Sequence, residues 1–138
     1  MKLITVLCLV SCAILAKGNK VTMTEEQMKM AEMLHNNCVK ETGVSEDSFS
    51  AAAKGDFKED DSLKCYMKCL LVQMGVFSEE DMSLDKEAMI EMVPDEVKEQ
   101  STKAVEKCTP LHGENGCEMA FNLYKCFYAF DPEKYFLI

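Results

Sequence analysis

The sequence predicts an all-α, six-helix compact domain cross-linked by disulfides, on three observations. Apolar residues recur at helical intervals through six segments, and no strand-like alternation appears anywhere. Six of the eight cysteines follow a secretory leader, an even number in a compartment where disulfides form and persist. The segment SLKCYMKCLLVQMG, residues 62–75, sets two of those cysteines one turn apart inside an almost wholly apolar helix.

The leader comes first. Lys2 precedes an apolar run from Leu3 to Ala16 that only Thr5 and Ser11 interrupt, and Ala16-Lys17-Gly18 offers small residues for a peptidase. The run is shorter than the roughly 20 apolar residues a membrane span needs. Residues 1–18 are therefore expected to be a signal peptide that carries Cys8 and Cys12 away, with one helical domain over residues 19–138.

Helix one begins with Thr24 and Gln27 in capping-box spacing, continues through Met28, Ala31, Leu34 and Cys38, and ends near Gly43. Ser45 caps a short second helix, Glu46 to Lys54, closed by Gly55. Asp60, Asp61 and Ser62 start the third helix, which Gly75 stops. Lys64 and Lys68 share one narrow polar stripe of that helix, so nearly every other face calls for a neighbour. Cys65 and Cys69 project from one side, each within reach of a different neighbour, whereas a bond between the two would distort the helix.

Leu84, Met89, Met92 and Val93 mark a fourth helix that Pro94 ends or bends. The fifth, Asp95 to Cys108, is mostly polar, with a thin apolar side of Val97, Ala104 and Val105 that suits a surface helix. Thr109 to Gly116 is a turn-rich loop. The sixth helix, Cys117 to Phe130, confines Glu118, Asn122 and Lys125 to one stripe and is otherwise apolar or aromatic. After Pro132 the sequence runs to Tyr135-Phe136-Leu137-Ile138, a greasy tail that must fold back onto something apolar.

Charge and missing motifs exclude whole classes of function. The full sequence has 15 basic and 24 acidic residues; without Lys2 and Lys17 the balance is 13 against 24, a net of about −11. Nucleic acid and anionic lipid call for clustered Lys and Arg, which this chain lacks. No cofactor or metal is expected, since only His35 and His112 are available to complete a site around Cys65 and Cys69. Nor is catalysis expected. His35 is followed by Asn36 and His112 by Gly113, without the His-Asp pair and calcium loop of a phospholipase, and there is no G-x-S-x-G.

Cys38, Cys65, Cys69, Cys108, Cys117 and Cys126 are separated by 26, 3, 38, 8 and 8 residues. Spacing alone leaves fifteen connectivities open. The five intervals together, on six helices after a leader, resemble the insect odorant-binding proteins, the pheromone and general odorant-binding family, along the whole of residues 19–138. That resemblance implies three interlocked disulfides, Cys38 with Cys69, Cys65 with Cys117 and Cys108 with Cys126, around an internal apolar cavity for small volatile or lipid-like molecules.

The strings LKCYMKCL and FDPEKYFLI resemble the subset of that family in which the tail covers the cavity mouth. By position this implies pocket roles for Leu71, Met74, Met89, Val93, Tyr124 and Phe127, with Phe136 and Leu137 as the lid. It also implies a latch, in which the Ile138 carboxylate is held by Tyr66 and His35 and released by acid. An unperturbed chain-terminal carboxyl titrates at about 3.5, so release near pH 5 requires burial to raise it. The chain departs from its relatives in having no Trp; Phe127 stands where they often carry an indole.

Among its 11 methionines, Met67, Met74, Met82, Met89, Met92 and Met119 lie in apolar segments, as gap fillers of a core or as an adaptable lining. Burying a guest of about 10 to 16 carbons at about 0.8 kcal/mol per methylene yields roughly 8 to 13 kcal/mol before immobilisation costs. Micromolar binding, about −8 kcal/mol, is within that range without any charged contact. The implied function is a secreted, extracellular carrier of odorants or pheromones through aqueous lymph. An odorant receptor is a candidate partner, and a monomer or weak homodimer the expected state, without stable membrane insertion. The alternatives are a non-sensory carrier of lipophilic molecules and a membrane-active, saposin-like helical protein, though the latter's cysteine spacing differs.

Overall fold

The computed structural model describes residues 22–138. Its elements are α1 (Glu25–Thr42), α2 (Glu46–Ala53), α3 (Asp61–Gln73), β1 (Phe77–Ser78), β2 (Ser83–Leu84), α4 (Lys86–Glu91), α5 (Asp95–Lys107) and α6 (Gly116–Phe130). The expected leader, residues 1–18, lies outside the described residues.

Side-chain caps start five of the six helices; α5 begins at Pro94 without one. In α1, Thr24 Oγ1 accepts from the Gln27 N–H at 3.2 Å, and Gln27 Oε1 accepts from the Thr24 N–H at 2.9 Å, closing the capping box. Ser45, Asp60, Asp85 and Asn115 cap α2, α3, α4 and α6 through their side-chain oxygens. Gly43 ends α1 in the left-handed region at φ 69°. Gly55 is required twice over: its φ is 88°, and a Cβ there would land on the Tyr128 ring.

One element was not expected. Phe77 pairs with Leu84 and Ser78 with Ser83 in a small antiparallel ribbon. Strands of two residues are too short to show alternation in sequence, and a side chain shapes the turn: Asp81 Oδ1 accepts from the Ser83 hydroxyl at 2.7 Å. Leu84 consequently belongs to β2, and α4 begins only after the Asp85 cap.

Helix α3 is the centre of the packing, against α6 on one side and α1 on the other. Leu63, Tyr66, Met67, Leu70 and Leu71 are fully enclosed, with Ala120, Phe121 and Leu123 of α6 and Cys38 of α1. Three disulfides join Cys38 to Cys69, Cys65 to Cys117 and Cys108 to Cys126. The first two bind α3 to α1 and to α6, so the central helix is stapled on both sides; the third ties the end of α5 to α6. Native disulfides of this kind contribute about 2 to 4 kcal/mol each.

Candidate functional site

An apolar cavity of about 300 Å³ lies beside this core. Met30, Ala31 and Leu34 of α1 form one wall, with Met74 and Val76 where α3 ends. Met89, Met92 and Val93 come from α4 and the turn after it, and Val97, Ala104 and Val105 from α5. Tyr124, Phe127 and Phe130 of α6 face them, and the tail adds Lys134, Tyr135, Phe136 and Ile138. Among the described residues, no helix is long and apolar enough to cross a membrane.

Of the residues singled out in the sequence, Met74, Met89, Val93, Tyr124, Phe127 and Phe136 are on this wall. Leu71 is not: it is fully buried in the solid core, because α3 is enclosed by α1 and α6 and only its C-terminal end reaches the cavity. Leu137 is also absent from the wall and packs against the core. Phe136 and Ile138 line the cavity, and Leu137 between them does not. Phe136 is 50% exposed.

The tail is held from below. The Tyr66 hydroxyl donates to the main-chain oxygen of Ile138 and lies 2.7 Å from His35 Nδ1. His35 therefore acts on Ile138 through Tyr66 rather than by direct contact. Its other nitrogen, Nε2, is 3.4 Å from Glu46 Oε1, and its ring packs on Phe49 at 4.5 Å. Burial pushes the Tyr66 phenol well above its ordinary titration range, with the Tyr124 and Glu46 charges adding to it. The phenol is thus kept as a donor. Burial likewise raises the phenols of Tyr124 and Tyr135. The Tyr135 ring sits edge-on to Phe57, Tyr124 and Tyr128, and its enclosed hydroxyl has no hydrogen-bond partner among the described residues.

Residues 20–129 match the PBP/GOBP family. The chain belongs to that family. General odorant-binding protein 56a of Drosophila melanogaster is 30% identical over 120 residues, spanning 86% of this chain and 85% of its own. The B1 protein of Tenebrio molitor is 33% identical over 107 residues, 75% of this chain and 80% of its own. The crystal structure of odorant-binding protein 4 of the predator Chrysopa pallens is similar with a TM-score of 0.74 at 31% identity, covering 85% of this chain and 100% of that one.

As a PBP/GOBP protein the chain builds its cavity with several residues that sequence reasoning passed over. Met23, Gln27 and Met30 line it from the start of α1, and Gln100 and Ser101 from α5. The signal for α5 was present in its thin apolar side: Val97 and Val105 are 8% and 3% exposed, and with Ala104 they wall the cavity. Met67, by contrast, is core, and Met82 is exposed.

Proposed function

We propose that the protein is a secreted, non-catalytic carrier that takes up one small hydrophobic molecule in the cavity and moves it through aqueous fluid. The observation that carries this reading is the apolar space between α1, α4, α5, α6 and the tail. At about 300 Å³ it stands at the small end of ligand pockets. Its walls are predominantly apolar, so desolvation of the guest drives binding. Met30, Met74, Met89 and Met92 give the wall flexible thioethers that adjust to guests of different shape.

Membership of an odorant-binding family supports odorants or pheromones as the guests, with removal of residues 1–18 delivering the carrier outside the cell. In a chain ending at Ile138, the carboxylate there accepts from Tyr66; protonation in acid weakens that bond and loosens the tail over the cavity.

The test is displacement of a fluorescent apolar probe, N-phenyl-1-naphthylamine, at neutral and acidic pH. Micromolar probe binding that ten- to sixteen-carbon competitors abolish is the expected result. Absence of probe binding by the folded protein overturns the proposal. A vesicle-leakage assay separates it from the membrane-active alternative, which predicts dye release where a carrier leaves vesicles intact.

A further inference from the structure

We propose that Met30 and Met92 form a reversible oxidation site on the cavity wall: a hydroperoxide converts their thioethers to sulfoxides, and apolar guests are then bound more weakly. The inference rests on the carrier reading above and adds a chemical control of the same cavity.

Five methionines line the cavity, and they differ in access. Met23, Met74 and Met89 are partly buried, whereas Met30 on α1 and Met92 at the C-terminal cap of α4 are each 51% exposed. A side chain that is half in solvent and also on the wall meets both a dissolved oxidant and a bound guest. Met28, Met33 and Met82 are similarly exposed but lie off the wall, so they meet the oxidant alone. No thiol competes for it among the described residues, because Cys38, Cys65, Cys69, Cys108, Cys117 and Cys126 are all paired. The sequence has no Trp either, which leaves the thioethers as the most readily oxidised side chains.

The step needs no catalytic group from the protein. A sulfur lone pair attacks the terminal oxygen of the hydroperoxide, the S–O bond forms as the O–O bond breaks, and the proton of that oxygen passes to the departing one. Sulfur is oxidised by two electrons, and the hydroperoxide is reduced to an alcohol, or to water where the oxidant is hydrogen peroxide. A polar, chiral group then stands in place of a flexible apolar one. Its oxygen accepts hydrogen bonds that a hydrocarbon guest cannot give, so seating the guest strips water from it without replacement. Neither residue belongs to the packed core, so the change falls on binding rather than on stability.

The experiment treats the whole secreted chain with dilute hydrogen peroxide, maps the gain of oxygen at each methionine by peptide mass spectrometry, and titrates N-phenyl-1-naphthylamine before and after. Met30 and Met92 should be oxidised together with Met28, Met33 and Met82, and probe affinity should fall about tenfold, the scale of an uncompensated polar group, with helical circular dichroism unchanged. Methionine sulfoxide reductases A and B together should restore it. Each variant is compared with itself before oxidation. The triple variant Met28→Leu, Met33→Leu, Met82→Leu should lose as much affinity as the natural protein, and the double variant Met30→Leu, Met92→Leu less than about twofold. Affinity that is unchanged once Met30 and Met92 carry oxygen, a full loss that persists in the double variant, or a loss accompanied by unfolding overturns the inference and leaves the carrier reading intact. Failure of the untreated protein to bind the probe removes both.

Discussion

The core around α3 and the wall of the cavity are built differently. Where α3 packs between α1 and α6 the interior is solid, with Leu63, Tyr66, Met67, Leu70 and Leu71 wholly enclosed and two disulfides fastening α3 to its neighbours. Around the cavity, α4 has no buried residue at all, and α5 contributes only Val97 and Val105. No disulfide reaches α4, and only Cys108, at the end of α5, ties that helix down. The contrast teaches how a small domain keeps an internal space: the frame carries the stability, so the wall around the cavity is free to be loosely packed and rich in methionine.

The largest expected effect breaks the frame. Replacing Cys65 and Cys117 together with Ala should cost about 2 to 5 kcal/mol in denaturant unfolding, since that pair closes the longest of the three loops. Next come paired truncations, one in the core and one on the cavity wall. Leu70→Ala should lose about 2 to 5 kcal/mol of stability, the cost of a cavity in a packed core. Met92→Ala, at a residue that is 51% exposed on the cavity wall, should change stability by less than about 0.5 kcal/mol yet weaken probe binding. If both variants lose stability equally, the division into frame and wall is wrong.

A finer test compares two tyrosines, one buried and one half-buried. Tyr66→Phe removes the bonds to Ile138 and His35 and should cost about 1 to 3 kcal/mol, with the tail loosened. Tyr135→Phe deletes an enclosed hydroxyl that has no partner, so its unfolding midpoint should stay level or rise. Deletion of residues 136–138 should flatten the pH dependence of probe affinity. A truncated protein that still loses its ligand steeply on acidification removes the tail from the release mechanism.

The smallest effect is invisible at neutral pH. Tyr66, Tyr124 and Tyr135 titrate above the ordinary value of 10.0, so the folded protein retains protons that the unfolded chain gives up. Their contribution to stability is complete below about pH 10 and declines as pH rises past it. Unfolding followed at increasing alkaline pH, with phenolate absorbance recorded alongside, should show ionisation of these three rings coinciding with loss of structure.

The helices were legible because their signals are local. Capping residues at Thr24, Ser45 and Asp60, glycines at 43, 55 and 75, and the periodic apolar positions of α1, α3 and α6 act within a few residues of one another. The β1–β2 ribbon escaped notice because two-residue strands carry no periodicity, and its pairing depends on a turn shaped by Asp81. The disulfide pairing followed from a family pattern of spacings, whereas spacing by itself left many arrangements open.

What the sequence alone determined, then, is an acidic, cysteine-bonded bundle of six helices with an apolar tail, since each of those features depends on composition, interval or near neighbours. Which part of the interior is solid and which is hollow was decided only in three dimensions. Leu71 and Met74 look alike in sequence, but one is sealed between α1 and α6 and the other opens on the cavity. Phe136 and Leu137 are adjacent and equally greasy, yet only the first lines that space. An empty volume is a property of how distant surfaces fail to meet, and no local pattern of residues encodes it.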